Sequence, residues 1–126
     1  MENFLPVLQV GAEPHPEIHR ILKDNGWPTE HAPTIEQSLL AIQKKPFFLV
    51  IITARQLPCG PWHKLLDGFR DMAAPPLVIV TDHLADDRLW ADVLNRGGYD
   101  VLAQPLDKRE VSRVVRQAWL QWNNPR

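Results

Sequence analysis

Cysteine is almost missing from this chain. Cys59 is the only one in 126 residues, so no disulfide can form within the chain and a reducing compartment is the expected home. Charge of one sign is not in excess either. Fourteen Lys and Arg against 15 Asp and Glu leave a net charge of −1, which argues against a broad nucleic-acid or anionic-membrane surface. The apolar run Phe47–Ile52 falls far short of the roughly 20 residues that span a bilayer. The start, MENFLPVLQV, has an acidic residue and no basic stretch, so no signal peptide is expected. Nothing like G-x-G-x-x-G or G-x-x-x-x-G-K follows Gly11, which removes the usual phosphate-binding loops. With no internal repeat, low-complexity tract or linker, residues 1–126 are expected to form one cytoplasmic domain.

What is present is a rhythm of short apolar runs and amphipathic stretches. Phe47–Ile52 is rich in β-branched and aromatic residues and is flanked by Pro46 and Pro58. It reads as a central strand buried on both faces, hence part of a largely parallel sheet. Leu5–Val10 reads as a first strand, Trp27–Ala32 as a weak edge strand containing Pro28, Leu77–Val80 as a fourth and Asp100–Ala103 as a fifth. Helices are expected between them. One begins at Pro16 and closes at Asn25-Gly26. A second is capped by Thr34 with Gln37 three residues on. A third opens at Pro61 and carries Trp62, Leu65, Leu66, Phe69 and Met72. A fourth starts at Asp86-Asp87 and stops at Gly97-Gly98, and a last one opens on Asp107 with Glu110 and runs through Trp122. The 12 prolines fall mostly in the connections.

Strict βα alternation implies a five-stranded parallel sheet with helices on both faces, a three-layer α/β/α fold with right-handed crossovers. At this length the flavodoxin-like order 2-1-3-4-5 fits, and chemistry belongs beyond the carboxyl ends of the strands. That edge is expected to gather Gly11, Ala12, Glu13, Thr53, Ala54, Thr81, Asp82 and Gln104. The residues after Ile52 are Thr53, Ala54, Arg55 and Gln56, with no nucleophilic carboxylate or thiol among them.

Other reactive side chains give weaker signals. His15 and His19 have i, i+4 spacing but no third ligand nearby in sequence, so surface histidines are favoured over a metal site. His83 beside Asp82 has no evident nucleophile to serve. Cys59 has no obvious activating base and reads as an ordinary thiol.

In order and spacing the chain resembles the receiver domain of bacterial response regulators. Val10-Gly11-Ala12-Glu13-Pro14 is similar to the family's V-D-D-E-P. Leu57, Pro58 and Gly60 are similar to its L-P-x-x-x-G loop, and Leu77–Thr81 to its fourth strand ending in Thr or Ser. Gly97-Gly98-Tyr99-Asp100-Val101-Leu102-Ala103-Gln104-Pro105-Leu106 is similar to its G-A-x-D-Y-L-x-K-P-F. The resemblance covers about Val7 to Trp122. It implies a CheY-like fold and phosphorelay signalling, in which an Asp on strand three takes a phosphoryl group beside Mg²⁺ held by two acidic residues.

This chain departs from that chemistry. The acidic pair falls on Gly11 and Ala12, and Gln104 stands at the Lys position. Val101 stands at the aromatic switch position, while Thr81 and an acidic neighbour, Glu13, remain. Counting back from Leu57-Pro58 places the phosphoacceptor position at Ala54; counting the strand's apolar residues places it at Thr53. Neither residue can form an aspartyl-phosphate. The expectation is a pseudo-receiver without cofactor, metal or catalysis that works by protein contact. Its partner would be a signalling protein or a second copy, docked through helix four, strand five and helix five, where Trp90 and Trp119 are possible interface residues. Alternatives are a small-molecule module using the same cleft and, third, an enzyme of flavodoxin-like fold.

Overall fold

A computed structural model describes residues 5–45, 47–58 and 60–123. The elements are β1 (Val7–Val10), α1 (Pro16–Asp24), β2 (Thr29–Ala32), α2 (Ile35–Lys44), β3 (Val50–Ala54), β4 (Gln56–Leu57), β5 (Gly60–Pro61), α3 (Lys64–Gly68), β6 (Leu77–Asp82), α4 (Asp87–Arg96), β7 (Asp100–Ala103) and α5 (Lys108–Asn123). Five strands form one sheet in the order β2-β1-β3-β6-β7, and all its pairings are parallel. This is the 2-1-3-4-5 order expected from the alternation of elements, with β6 and β7 as the fourth and fifth sheet strands. β4 and β5 form a separate two-stranded antiparallel ribbon.

Side-chain alternation along the strands divides the core into two layers. On one face Val7, Ile52, Ile79 and Leu102 pack with Ile18, Ile21 and Leu22 of α1 and Val111, Val114, Val115 and Ala118 of α5. On the other face Leu8, Val10, Ile51, Val78 and Val80 pack with Ile42 of α2, Leu65 of α3 and Leu89 and Val93 of α4. Burying each of the Val, Leu and Ile side chains contributes about 1.5–3 kcal/mol before entropy is set against it.

Local signals fix the helix ends. The Thr34 hydroxyl accepts the Gln37 N–H, and the Asp86 carboxylate accepts the Leu89 N–H. The Asp107 carboxylate accepts the Glu110 N–H. Gly26 (φ 76°) closes α1. The Trp27 N–H reaches the Leu22 carbonyl and the Gly26 N–H reaches that of Lys23, so two orphan carbonyls are satisfied.

Three expectations need correction. The central strand is displaced: β3 is Val50–Ala54, while Phe47 lies in a turn and is 42% exposed. The edge strand starts at Thr29, so Pro28 precedes it, and buried Trp27 belongs to the end of α1 rather than to a strand. The third helix is only Lys64–Gly68. The Trp62 N–H is drawn to the Arg55 carbonyl, which makes the preceding residues a ribbon. Beyond Gly68 the chain continues in i, i+3 turns, Met72 N–H to Phe69 carbonyl, so Phe69 stays buried without a regular α-helix, while Met72, expected on the same apolar stripe, is exposed. The expectations for Pro46 and Cys59 lie outside the described residues.

Candidate functional site

Parallel register brings the carboxyl ends of the central strands together. Val10 pairs with Thr53, and Ala54 pairs with Thr81. Gly11 follows Val10, and a Cβ built on it would lie 3.7 Å from the Ala54 Cβ. The cleft above these residues has a volume of about 240 Å³, and Gly11, Ala12, Glu13, Ala54, Thr81 and Gln104 are among the residues that line it. A larger hollow of about 480 Å³ lies between β2 and α2. Its lining reaches the end of the edge strand β2 but none of the central strand ends, so the cleft remains the candidate site.

Strand parity separates the two readings of the β3 end. Ile52 and Ala54 both line the cleft. Thr53, with 0% exposure, is not in the cleft wall, and its hydroxyl donates to the Ala54 carbonyl at 3.0 Å. Val101 does not line the cleft either. It packs against the core layer that contains Leu89 and Val93 of α4. Thr53 and Val101, expected as pocket positions, therefore stand outside the pocket wall.

The polar groups of the cleft bind one another. The Gln104 Nε2 donates to the Thr81 Oγ at 3.2 Å, and the Gln104 backbone N–H donates to the Asp82 carbonyl at 3.1 Å. Asp82 is occupied as well. Its carboxylate lies 3.5 Å from the Arg55 guanidinium and accepts the Leu84 N–H at 3.2 Å. The Asp82 carboxylate is thus committed to these groups rather than to an acid–base role with His83. Glu13 and Ala12 are exposed at the rim.

Three cleft residues were not foreseen from the sequence. Gln9 borders the cleft with His31 of β2 and His15 of the α1 cap, and its amide is turned to the Thr29 hydroxyl. His31 Nε2 donates to the Gly11 carbonyl at 2.7 Å. His15 Nδ1 accepts the Ile18 N–H at 3.4 Å. The available signal was Gln9 itself, one polar residue in a strand whose other residues are apolar. His15 and His19 do not join a metal site: among the described residues no group of three or more His, Cys, Asp or Glu is arranged to hold an ion.

No family model matches the chain, and no curated protein matches it. Solved structures do. A two-component response regulator from Clostridium difficile superposes with a TM-score of 0.79 at 18% identity, over 94% of this chain and 98% of its own. The beryllofluoride-activated NtrC4 receiver domain dimer gives 0.81 at 21% identity, over 97% and 99%. The chain has the receiver-domain fold. A CheX–CheY complex with beryllofluoride and magnesium from Borrelia burgdorferi adds a third such likeness, 0.78 at 18% identity over 91% and 89%. Within the receiver fold the cleft is the carboxyl-edge pocket, and α4, β7 and α5 form the surface on which Trp90 and Trp119 were expected.

The two tryptophans do not share that surface. Trp90 is 50% exposed and, with Leu94 at 37%, forms an i, i+4 apolar pair on α4. Trp119 is partly buried against the α1–α5 core layer. It stands at i, i+7 from Ser112, which accepts from Asn25 at the end of α1, and beside Arg116, whose guanidinium lies 5.4 Å from the Trp27 ring. That flank of α5 turns toward α1. Among the described residues no helix is long and apolar enough to cross a membrane.

Proposed function

We propose that this receiver-fold chain, one domain over residues 1–126, acts in signal transduction by protein contact and without phosphoryl transfer at its cleft. The observation that carries the reading is the pairing of Ala54 with Thr81 beside Gly11. The place that a phosphoacceptor carboxylate would take in this fold holds a methyl group. Gly11 and Ala12 offer no side-chain oxygen to Mg²⁺, and Gln104 offers no positive charge to a phosphoryl group. The reading includes no enzymatic activity, no metal or cofactor, no nucleic-acid or membrane partner, and a cytoplasmic setting.

The partner is a signalling protein or a second copy of the chain, and the apolar pair Trp90–Leu94 on α4 is the anchor that supports it. Assembly of this fold has precedent in the NtrC4 dimer and the CheX–CheY complex. The test is incubation with acetyl phosphate and Mg²⁺, read by intact mass, with beryllofluoride and tryptophan fluorescence in parallel. No added phosphoryl mass and no fluorescence change are expected. An acid-labile phosphoryl adduct, or a saturable response to beryllofluoride, would sink the proposal.

A further inference from the structure

β2 is an edge of the sheet: among the described residues only β1 pairs with it. Backbone groups of a strand face its neighbours in alternation, every second residue toward the same side. The Val7 N–H donates to the Pro28 carbonyl and the Gly11 N–H to the Ala32 carbonyl, so Pro28, Glu30 and Ala32 turn their backbone toward β1. The N–H and C=O groups of Thr29 and His31 therefore face outward, with no strand beside them. Pro33, which has no N–H, ends this open ladder.

The hollow of about 480 Å³ runs along the same edge. One stripe of α2 walls it: Gln37, Leu40, Ala41 and Lys44, at i, i+3, i+4 and i+7. Ala32 adds to its apolar lining, and Leu40 is 54% exposed. Lys45 is paired with Glu30, while among the described residues Lys44 has no carboxylate partner. The lining thus carries two lysines against one glutamate, a positive charge left over where α2 ends.

We propose that this edge takes an extended acidic segment of a partner protein, added to β2 as an antiparallel strand, with an apolar side chain against Leu40 and Ala41 and a carboxylate on Lys44. The outward N–H and C=O groups call for a strand, and the unpaired lysine calls for the carboxylate. Antiparallel pairing is the more stable per residue, and it puts the apolar residue first and the acid two positions later. The spacing fits. Leu40 to Lys44 rises about 6 Å along the helix, and residues i and i+2 of a strand stand about 6.8 Å apart on one face. β2 is short and lies between Pro28 and Pro33, which limits the pairing to a short segment rather than an open-ended sheet. β2 and β7 are opposite ends of the sheet, so this contact leaves α4 free and does not rest on the reading of Trp90 and Leu94.

The experiment titrates the full chain, ¹⁵N-labelled, with the capped peptide Thr-Val-Thr-Leu-Thr-Glu-Thr. Saturable shifts are expected at the Thr29, His31, Leu40 and Lys44 amides, and hydrogen exchange at Thr29 and His31 should slow. Replacing the peptide's Glu by Lys, or Lys44→Glu in the chain, should weaken binding about tenfold, and combining the two changes should restore it. N-methylation of the peptide's threonines, the residues whose N–H groups face β2, should abolish binding. No saturable shift overturns the proposal, as does an N-methylated peptide that binds as well or binding indifferent to the charge at position 44. Shifts confined to Trp90 and Leu94 would move the peptide to α4 and overturn it too. So would slower exchange at Thr29 and His31 that grows with the concentration of the chain alone, because that assigns the edge to a second copy. The phosphorylation test above reads a different site, so either proposal can fail alone.

Discussion

Replacing Ala54 by Asp tests whether the cleft is a place that excludes charge. Asn is the control, because it matches Asp in shape and differs in ionisation. Ala54 is partly buried and pairs with Thr81. The only cation nearby in sequence, Arg55, lies 3.5 Å from Asp82 and is already committed there. Thr81 can offer one hydrogen bond, and Gln104 already uses its Nε2 on Thr81. Desolvation with no compensating charge should raise the new carboxyl by about one pKa unit, equivalent to about 1.4 kcal/mol of lost stability for Asp relative to Asn at neutral pH. With urea slopes of about 1–3 kcal/mol/M, the midpoint falls by roughly 0.5–1.4 M.

The sign with pH is fixed. A carboxyl whose folded pKa is raised costs nothing below its unfolded pKa of about 3.9, and the cost grows as pH rises through the folded value. Urea melts of the two variants should therefore coincide near pH 3 and separate toward about pH 7. Adding Gly11→Asp and Ala12→Asp makes the charge clash worse. A Cβ at position 11 meets its neighbours at 3.6 and 3.7 Å, ordinary contact, so the added cost is electrostatic rather than steric. Millimolar Mg²⁺ should then restore stability to the triple variant by binding only its folded form, and leave the natural chain unchanged. Coincident Asp and Asn melts across the whole range would refute the reasoning, as would a triple variant indifferent to Mg²⁺.

Trp90→Ala should leave stability within about 0.5 kcal/mol while weakening any self-association seen by sedimentation about thirtyfold, the equivalent of about 2 kcal/mol. Trp119→Ala should do the reverse, because Trp119 packs on the core; a dimer lost in Trp119→Ala at full stability would overturn the assignment. Gly98→Ala should cost about 1–3 kcal/mol, since its Cβ would lie 2.5 Å from Val93 Cγ1 and 3.0 Å from Trp62 Cη2. Gly26→Ala, with φ of +76° but nothing within 4 Å, should cost about 1 kcal/mol; urea midpoints in the opposite order would contradict the packing described. Tyr99 has its hydroxyl pKa raised by burial, with Asp100 adding to the rise and Arg113 opposing it. The neutral phenol is thus favoured in the folded state, so stability is full below the unfolded value of about 10 and is lost as pH rises above it. Tyr99→Phe should flatten that alkaline loss in pH-dependent melts; an unchanged slope would exclude Tyr99 as its source.

Local chemistry was legible in the sequence, and long-range geometry was not. Thr34, Asp86 and Asp107 cap their helices as read because a cap needs only a residue and an N–H two or three positions on. The strand order followed from the alternation of apolar runs with amphipathic stretches. The ribbon of β4 and β5 was missed because it depends on the Trp62 N–H meeting the Arg55 carbonyl, while the spacing from Trp62 to Met72 keeps a helical period through turns that are not one helix. Thr53 and Ala54 could not be separated by counting. Parity decides between them only once the face of Ile52 is known. Trp119 was misplaced for a related reason: Asn25–Ser112 and Arg116–Trp27 set which flank of α5 meets α1, and neither contact is local. The convergence of Gln9, His15 and His31 needs the β1–β2 register, Gln9 opposite His31.

The same bonds that neutralise the cleft also connect it to α4. Gln104 holds Thr81 through its side chain and Asp82 through its backbone. Asp82 in turn holds Arg55 of the loop after β3 and the Leu84 N–H on the way into α4. Ala54, at the end of β3, offers no carboxylate through which a phosphoryl group could enter this chain of contacts. Coupling between sites requires an element with two arrangements that both sites bias, and a ligand that favours neither arrangement shifts nothing. The contacts around Thr81 define one such arrangement. If the proposed reading holds, binding of a partner to the α4 surface carrying Trp90 should be the same with and without acetyl phosphate and Mg²⁺, and an affinity that changes with acetyl phosphate would refute it.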